Sequence, residues 1–155
     1  MNDTRVIVFG GAGFIGRNVV NALLKRGYKI TVYDVQAKPP CEYIQPVDYI
    51  AGDILDFKTV NAAVAGHSIL YNFADIADLD IANTRPGATL HTNVIGNLNI
   101  LEASVKHHIS RFIFASSIYV YSEKDAFYRC SKQMCELMIE TYSRKYALDY
   151  TILRF

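Results

Sequence analysis

Tyr128 and Lys132 stand four residues apart in a stretch with helical periodicity, and on a helix that spacing places both side chains on one face. An ammonium beside a phenol favours the phenolate. It draws an ordinary value of about 10 toward neutrality, where the hydroxyl can act as acid and base. Ser116 and Ser117 lie just past a strand-like run, at the edge of an α/β sheet where ligands bind, and a serine there can hydrogen-bond a substrate hydroxyl. Neither signal is specific alone. With 11 tyrosines in the chain a Tyr-x-x-x-Lys spacing arises readily by chance, and serines at strand ends are ordinary turn residues.

A second constellation lies near the N-terminus. Gly10-Gly11-Ala12-Gly13-Phe14-Ile15-Gly16 sits between the apolar run Arg5-Val6-Ile7-Val8-Phe9 and a segment with helical periodicity. Glycines at 10, 13 and 16 let the chain turn sharply off a strand, bring backbone near a ligand and pack a helix on the sheet. A pyrophosphate can then rest on the helix N-terminus, where unpaired N–H groups and the helix dipole favour an anion. The acidic partner expected about 20 residues further on is Asp34, at the end of Ile30-Thr31-Val32-Tyr33. The alternative is a glycine turn in an unrelated α/β domain.

These residues need strands and helices in alternation to bring them together, and the chain supplies that pattern. Strands are expected near 5–9, 29–33, 47–51, 68–73, 111–115 and 149–153. Runs such as Arg111-Phe112-Ile113-Phe114-Ala115 are nearly continuously apolar, as in sheets buried on both faces. Ile15, Val19, Val20, Leu23 and Leu24 mark a helix that Gly27 ends, and Asp56 is a suitable N-cap for a short one. Longer helices are expected from about 84 to 107, with Pro86 and Gly87 in the first turn, and from about 127 to 147. On the latter, Cys130, Met134, Leu137, Met138 and Thr141 form an apolar stripe from which Tyr128 and Lys132 turn away. Pro39, Pro40 and Pro46 punctuate one loop. The expectation is an α/β fold: a doubly wound, Rossmann-like parallel sheet of six strands with helices on both faces.

Length and composition set the remaining bounds. A chain of 155 residues with 51% hydrophobic content is one domain with a real core. Its net charge of +1, from 16 basic and 15 acidic residues without long runs, gives no footprint for nucleic acid or an anionic membrane. No signal peptide and no stretch able to span a bilayer is evident, so a cytoplasmic protein is expected. Cys41, Cys130 and Cys135 form no CxxC pair and read as reduced thiols. His67, His91, His107 and His108 are not arranged as ligands, and no metal is expected.

Taken jointly, GGAGFIG, Gly52-Asp53-Ile54, Asn93-Val94-Ile95-Gly96-Asn97, Ser116-Ser117 before Val120-Tyr121, Tyr128-x-x-x-Lys132 and the closing Tyr150-Thr151-Ile152-Leu153-Arg154-Phe155 form an ordered set. In this the chain resembles the extended short-chain dehydrogenase/reductase family, in its NAD-dependent sugar-nucleotide epimerase/dehydratase branch, along its whole length. The resemblance implies that residues 1–155 are an NAD-binding Rossmann domain without the family's C-terminal substrate domain. It implies that Gly10, Gly13, Phe14, Ile15 and Gly16 hold the pyrophosphate, Asp34 the adenosine ribose, and Asp53 with Ile54 the adenine. By the same resemblance Phe73, Ala74 and Asn93 would line the cofactor cleft, Lys132 would bind the nicotinamide ribose, Tyr128 would be the catalytic acid/base, and Ser117 would hold the reacting hydroxyl. Read without the family, Asp53 and Asn93 are turn or capping residues.

The sequence departs from the family's pattern in places. Ser122 stands where many members have glycine after Val-Tyr, and only six residues separate Tyr121 from Tyr128. Asp34 would accept bonds from a ribose 2′-hydroxyl and repel a 2′-phosphate, and Val35-Gln36-Ala37 carries no arginine, so NAD is favoured over NADP. Ile118-Tyr119 follows Ser117 where a 4,6-dehydratase would place an acidic pair. That favours epimerisation or simple oxidation of a nucleotide-sugar. The competing readings are a non-catalytic NAD-binding module and a small reductase of a non-sugar carbonyl. Cys135 and Ile139 extend the Tyr128 side of the last helix as a second apolar face, and the two long helices are candidates for a homodimer interface.

Overall fold

The computed structural model describes residues 3–37, 43–122 and 126–155. Pro39, Pro40 and Cys41 lie outside the described residues, as does part of the short connection between Tyr121 and Tyr128. Strands β1 (Arg5–Phe9), β2 (Lys29–Asp34), β3 (Asp48–Ala51), β4 (Ile69–Asn72), β5 (Arg111–Ser116) and β6 (Tyr150–Arg154) form one parallel sheet in the order β3-β2-β1-β4-β5-β6. The order reverses between β1 and β4, and a crevice opens at their carboxyl ends.

Alternation along the strands divides the core between the two sheet faces. Val6, Val8, Ile30 and Val32 pack under α1 (Phe14–Lys25) through Val20, Leu23 and Leu24. Ile7, Phe9, Leu70, Phe112 and Phe114 point the other way, toward residues of α2 (Phe57–Val64), α5 (Gly96–Lys106) and α6 (Ala126–Tyr146). Each side chain wholly removed from water there contributes about 1.5–3 kcal/mol.

Local chemistry sets the helix ends. Asp56 caps α2, its carboxylate accepting the Lys58 and Thr59 amides at 3.0 and 3.4 Å. Gly27, at φ +79°, stops α1: its amide donates to Leu24 and that of Tyr28 to Leu23, closing the helix with a left-handed turn.

The expected helix from about 84 to 107 is in fact divided. A separate short helix, α3 (Leu79–Thr84), precedes it, and Arg85 leaves helical geometry at φ −130°, ψ 59°. Pro86 then opens α4 (Pro86–Leu90), because a residue before proline is pushed out of the helical region and proline itself suits the first helical position. A π-helical stretch, His91–Ile95, joins α4 to α5.

Helix α6 presents the opposite face to that expected. Tyr128, Ser131, Lys132, Cys135, Glu136 and Ile139 are buried, whereas Leu137 is 62% exposed, Met134 and Thr141 are also exposed, and only Met138 of the expected stripe packs on the core. A count of apolar residues missed this because the polar atoms of Tyr128 and Lys132 find partners inside the protein. Cys135 and Ile139 are therefore core residues, and the exposed apolar stripe is the Met134–Leu137 one.

Candidate functional site

The crevice at the β1/β4 reversal is a cleft of about 640 Å³. One end is built by the turn from β1 to α1. Gly10 sits at φ +70°, and a Cβ there would lie 2.6 Å from the Phe73 carbonyl carbon and 2.7 Å from the Ala74 amide nitrogen. Only glycine lets this turn lie against the segment after β4. Gly13 opens α1 without a side-chain cap, and it lines the cleft together with Phe14, Ile15 and Gly16 of the first turn, whose N–H groups have no partner within the helix. Asp34 braces the same turn, one carboxylate oxygen accepting the Ala12 amide at 3.0 Å and the other the Gln36 amide at 3.1 Å.

Gly10, Gly13, Phe14, Ile15, Gly16, Asp34, Asp53, Ile54, Phe73, Ala74, Ser117, Tyr128 and Lys132 all line this one cleft. Asp53 accepts the Leu55 amide through its side chain and the Tyr33 hydroxyl through its carbonyl, so it is a turn residue as well as a wall of the cleft. Asn93 does not line it. Its side chain is buried behind the wall, accepting the Ile76 amide at 2.7 Å and donating to the Ile76 carbonyl at 3.2 Å and to Ser131 Oγ at 3.1 Å. It holds the segment after β4 in place from behind. The expectation that it faces the cleft is corrected accordingly, because both ends of its amide are committed to backbone and Ser131.

At the far end of the cleft are the groups able to move protons. Lys132 is 2% exposed; its ammonium donates to the Ala115 carbonyl at 2.7 Å and lies 2.6 Å from Asp75 Oδ2. The Tyr128 hydroxyl donates to the same carboxylate oxygen at 3.4 Å. Burial, followed by the negative charge of Asp75 and the bond to it, pushes the Tyr128 phenol well above the ordinary tyrosine range, although Ser117 acts in the opposite sense. The expected pull of Lys132 on Tyr128 is therefore opposed: the ammonium is paired with Asp75, and burial together with that carboxylate pushes the phenol up rather than down.

Ser117 caps the 3₁₀ turn Ile118–Tyr121, accepting the Tyr119 amide at 3.3 Å and donating to the Phe155 carbonyl at 3.5 Å. Ser116 has a different task. It donates to Glu136 at 2.5 Å, and Arg154 grips the same carboxylate through Nε at 2.9 Å and Nη2 at 2.7 Å. Burial raises Glu136, but the bonds from Arg154 and Ser116 outweigh it and hold the carboxyl below its ordinary range. This cluster fixes β5, α6 and β6 to one another beneath the site.

Two groups of consequence were not anticipated from the sequence. Asp75 is the first, and its position three residues past β4, at the carboxyl edge of the sheet, was the available signal. The second is the Glu136–Arg154 pair, whose partners are 18 residues apart and carry no local pattern.

A model of the NAD dependent epimerase/dehydratase family matches residues 6–155. The dTDP-glucose 4,6-dehydratase of Streptomyces niveus is 28% identical over 97% of the chain and 52% of its own length. The UDP-glucose 4-epimerase of Thermotoga maritima, solved with UDP-glucose, superposes with a TM-score of 0.89 at 28% identity over 97% of the chain and 55% of that structure. The Thermus thermophilus UDP-glucose 4-epimerase, solved with NAD, gives 0.85 at 29% identity over 97% and 54%. The chain thus spans about half the length of the relatives it matches.

Proposed function

Because the chain belongs to the NAD-dependent epimerase/dehydratase family, we propose that residues 1–155 form the NAD-binding domain of an enzyme that epimerises a nucleotide-sugar through a transient keto-sugar. The observation that carries this reading is the convergence of the glycine turn, Asp34, Tyr128 and Lys132 on one cleft.

NAD is the cofactor of this family, and the cleft suits it. The uncapped start of α1 and the side-chain-free approach of Gly10 would receive a pyrophosphate. Asp34, with Val35 and Gln36 beside it and no cation among the described residues that line this end of the cleft, would receive a ribose hydroxyl and disfavour a 2′-phosphate. Asp53 and Ile54 would flank the adenine, and Lys132 the nicotinamide ribose. When bound, the nicotinamide supplies hydride exchange. The protein's part is to orient the substrate hydroxyl through Ser117 and to move its proton through Tyr128.

Ile118 and Tyr119 follow Ser117 where elimination would need an acid and a base, which supports epimerisation or oxidation over dehydration.

A homodimer belongs to the same proposal. Phe127, Met134 and Leu137 of α6 lie exposed, as do Ile81 and Ile95, and α6 packs beside α3 and the π-helical stretch that carry those two. Sedimentation of a Leu137→Glu variant tests it: a shift to monomer is expected, and an unchanged mass would remove this interface.

The functional test is turnover of UDP- and dTDP-hexoses with NAD, comparing wild type with Tyr128→Phe. Turnover should vanish while NAD affinity stays within about twofold; equal loss of both would show that Tyr128 supports the cleft rather than the chemistry.

A further inference from the structure

The wall of the cleft formed by Asp53 and Ile54 is a turn, and the turn is held from behind. Between β3 and α2 the chain folds back over residues 53–56, the Asp56 amide donating to the Asp53 carbonyl at 3.0 Å and the Leu55 amide to the Asp53 carboxylate at 2.9 Å. The Tyr33 hydroxyl donates to the same Asp53 carbonyl at 3.0 Å. The next two carbonyls, of Ile54 and Leu55, are both taken by one side chain. Asn99, on α5, donates its amide to Ile54 at 2.9 Å and to Leu55 at 3.2 Å. The amide carries two hydrogens, so each carbonyl is served by its own.

Packing ties the same two elements together. Gly96 stands three residues before Asn99, and a Cβ there would lie 2.6 Å from Ile54 Cγ1, so the Ile54 side chain rests directly on the backbone of α5. Ile54 is 6% exposed and still lines the cleft beside Gly52 and Asp53. Asn99 is not one of the lining residues and reaches the site only through the turn. Asp53 commits Oδ1 to the Leu55 amide, while its Oδ2 has no partner among the described residues.

The turn does not need Asn99 in order to form. Its internal bonds come from Asp53 and Asp56, and Asp56 also caps α2. What Asn99 adds is a fixed separation between the turn and α5, and with it the depth at which Asp53 and Ile54 stand in the cleft. We propose that Asn99 is a positioning residue for base recognition: by holding the Ile54 and Leu55 carbonyls it keeps the Asp53 carboxylate and the Ile54 side chain at the adenine, and so makes the site prefer adenine to a purine that has a carbonyl in place of the exocyclic amino group. A carboxylate accepts a hydrogen bond from an amino group and repels a carbonyl oxygen. Such a bond weakens steeply once it is misaligned, so a turn released from α5 loses selectivity before it loses its shape.

This inference rests on the reading of Asp53 and Ile54 as the flank of the adenine. The probes are NAD and nicotinamide hypoxanthine dinucleotide, titrated calorimetrically into wild type, Asp53→Ala, Asn99→Leu and Asn99→Gln, with a thermal melt of each protein alone. Leucine keeps the branched shape of asparagine and removes both donors; glutamine keeps the donors on a longer stem.

Wild type should bind NAD at least about tenfold more tightly than the hypoxanthine dinucleotide. Asn99→Leu should weaken NAD about tenfold and the hypoxanthine dinucleotide less than about twofold, while its melting temperature falls by no more than about 5 °C. Asn99→Gln should keep a preference between those of wild type and Asn99→Leu, and it carries the same comparison if the leucine variant does not fold.

General loosening of the domain would weaken both dinucleotides alike, so an equal loss overturns the proposal, as does a preference that Asn99→Leu leaves intact. A wild type that binds the two dinucleotides equally removes Asp53 from the adenine, and the role of Asn99 with it. A preference abolished by Asp53→Ala but untouched at Asn99 removes Asn99 alone.

Discussion

The carboxylate of Asp75 stands 2.6 Å from the ammonium of Lys132, their side chains 16% and 3% exposed, so each charge depends on the other for its place in the interior. A buried ammonium deprived of its partner costs more than the pair contributes when intact.

Asp75→Ala should therefore lower the unfolding free energy by about 3 kcal/mol, whereas Asp75→Ala combined with Lys132→Met should recover at least half of that loss. Urea unfolding of the two single variants and the double variant checks it. Additive losses would mean that Lys132 is already solvated or fully served by the Ala115 carbonyl.

Gly10 and Gly27 both lie at positive φ, +70° and +79°, but only Gly10 is crowded, by the backbone of Phe73 and Ala74. Gly27→Ala carries the left-handed backbone penalty alone, about 1 kcal/mol. Gly10→Ala adds overlap with backbone that cannot rotate away and should cost about 3 kcal/mol or more. Equal melting temperatures for the two variants would show that the segment after β4 yields freely to the turn.

Stability should be greatest between about pH 6.5 and 9. Burial lowers His67 from its ordinary 6.5, so the folded protein prefers the neutral ring, and stability falls as pH drops below that value. Glu136, also held low, adds a further loss below its ordinary 4.5. On the alkaline side, burial pushes the Cys135 thiol from 9.0 up to about 12 and raises Tyr33, Tyr71 and Tyr128 above 10. The folded state then holds protons that the unfolded chain gives up, and stability declines above about pH 9. Thermal melts across this range should trace a plateau with both shoulders; a Cys135→Ala variant should have a shallower alkaline one.

Much of the fold could be read from local pattern. Strands buried on both faces are continuous apolar runs, the glycine turn is marked by residues that tolerate close backbone approach, and Asp56 and Gly27 announce helix ends. Most of the cleft residues were legible too, because they sit at a strand's carboxyl end or in the turn and first helical turn that follow, while Tyr128 and Lys132 stood out by their spacing on α6. What escaped depends on partners distant in sequence. Tyr128 looked exposed because its polar group was counted without Asp75, 53 residues away, and the same omission left Lys132 free to ionise it. Asn93 was placed in the cleft although its partners, Ile76 and Ser131, commit it behind the wall. The break at Arg85 was signalled by Pro86, but the length of the apolar periodicity masked it.

The account stands on the cleft being a site for NAD, and calorimetric titration of the protein with NAD and with NADP tests that most directly. NAD should bind at least tenfold more tightly than NADP, and Asp34→Ala should narrow that gap even though it also releases the Ala12 amide and weakens both. Binding of neither cofactor, or equal binding of both by the wild type, would contradict it.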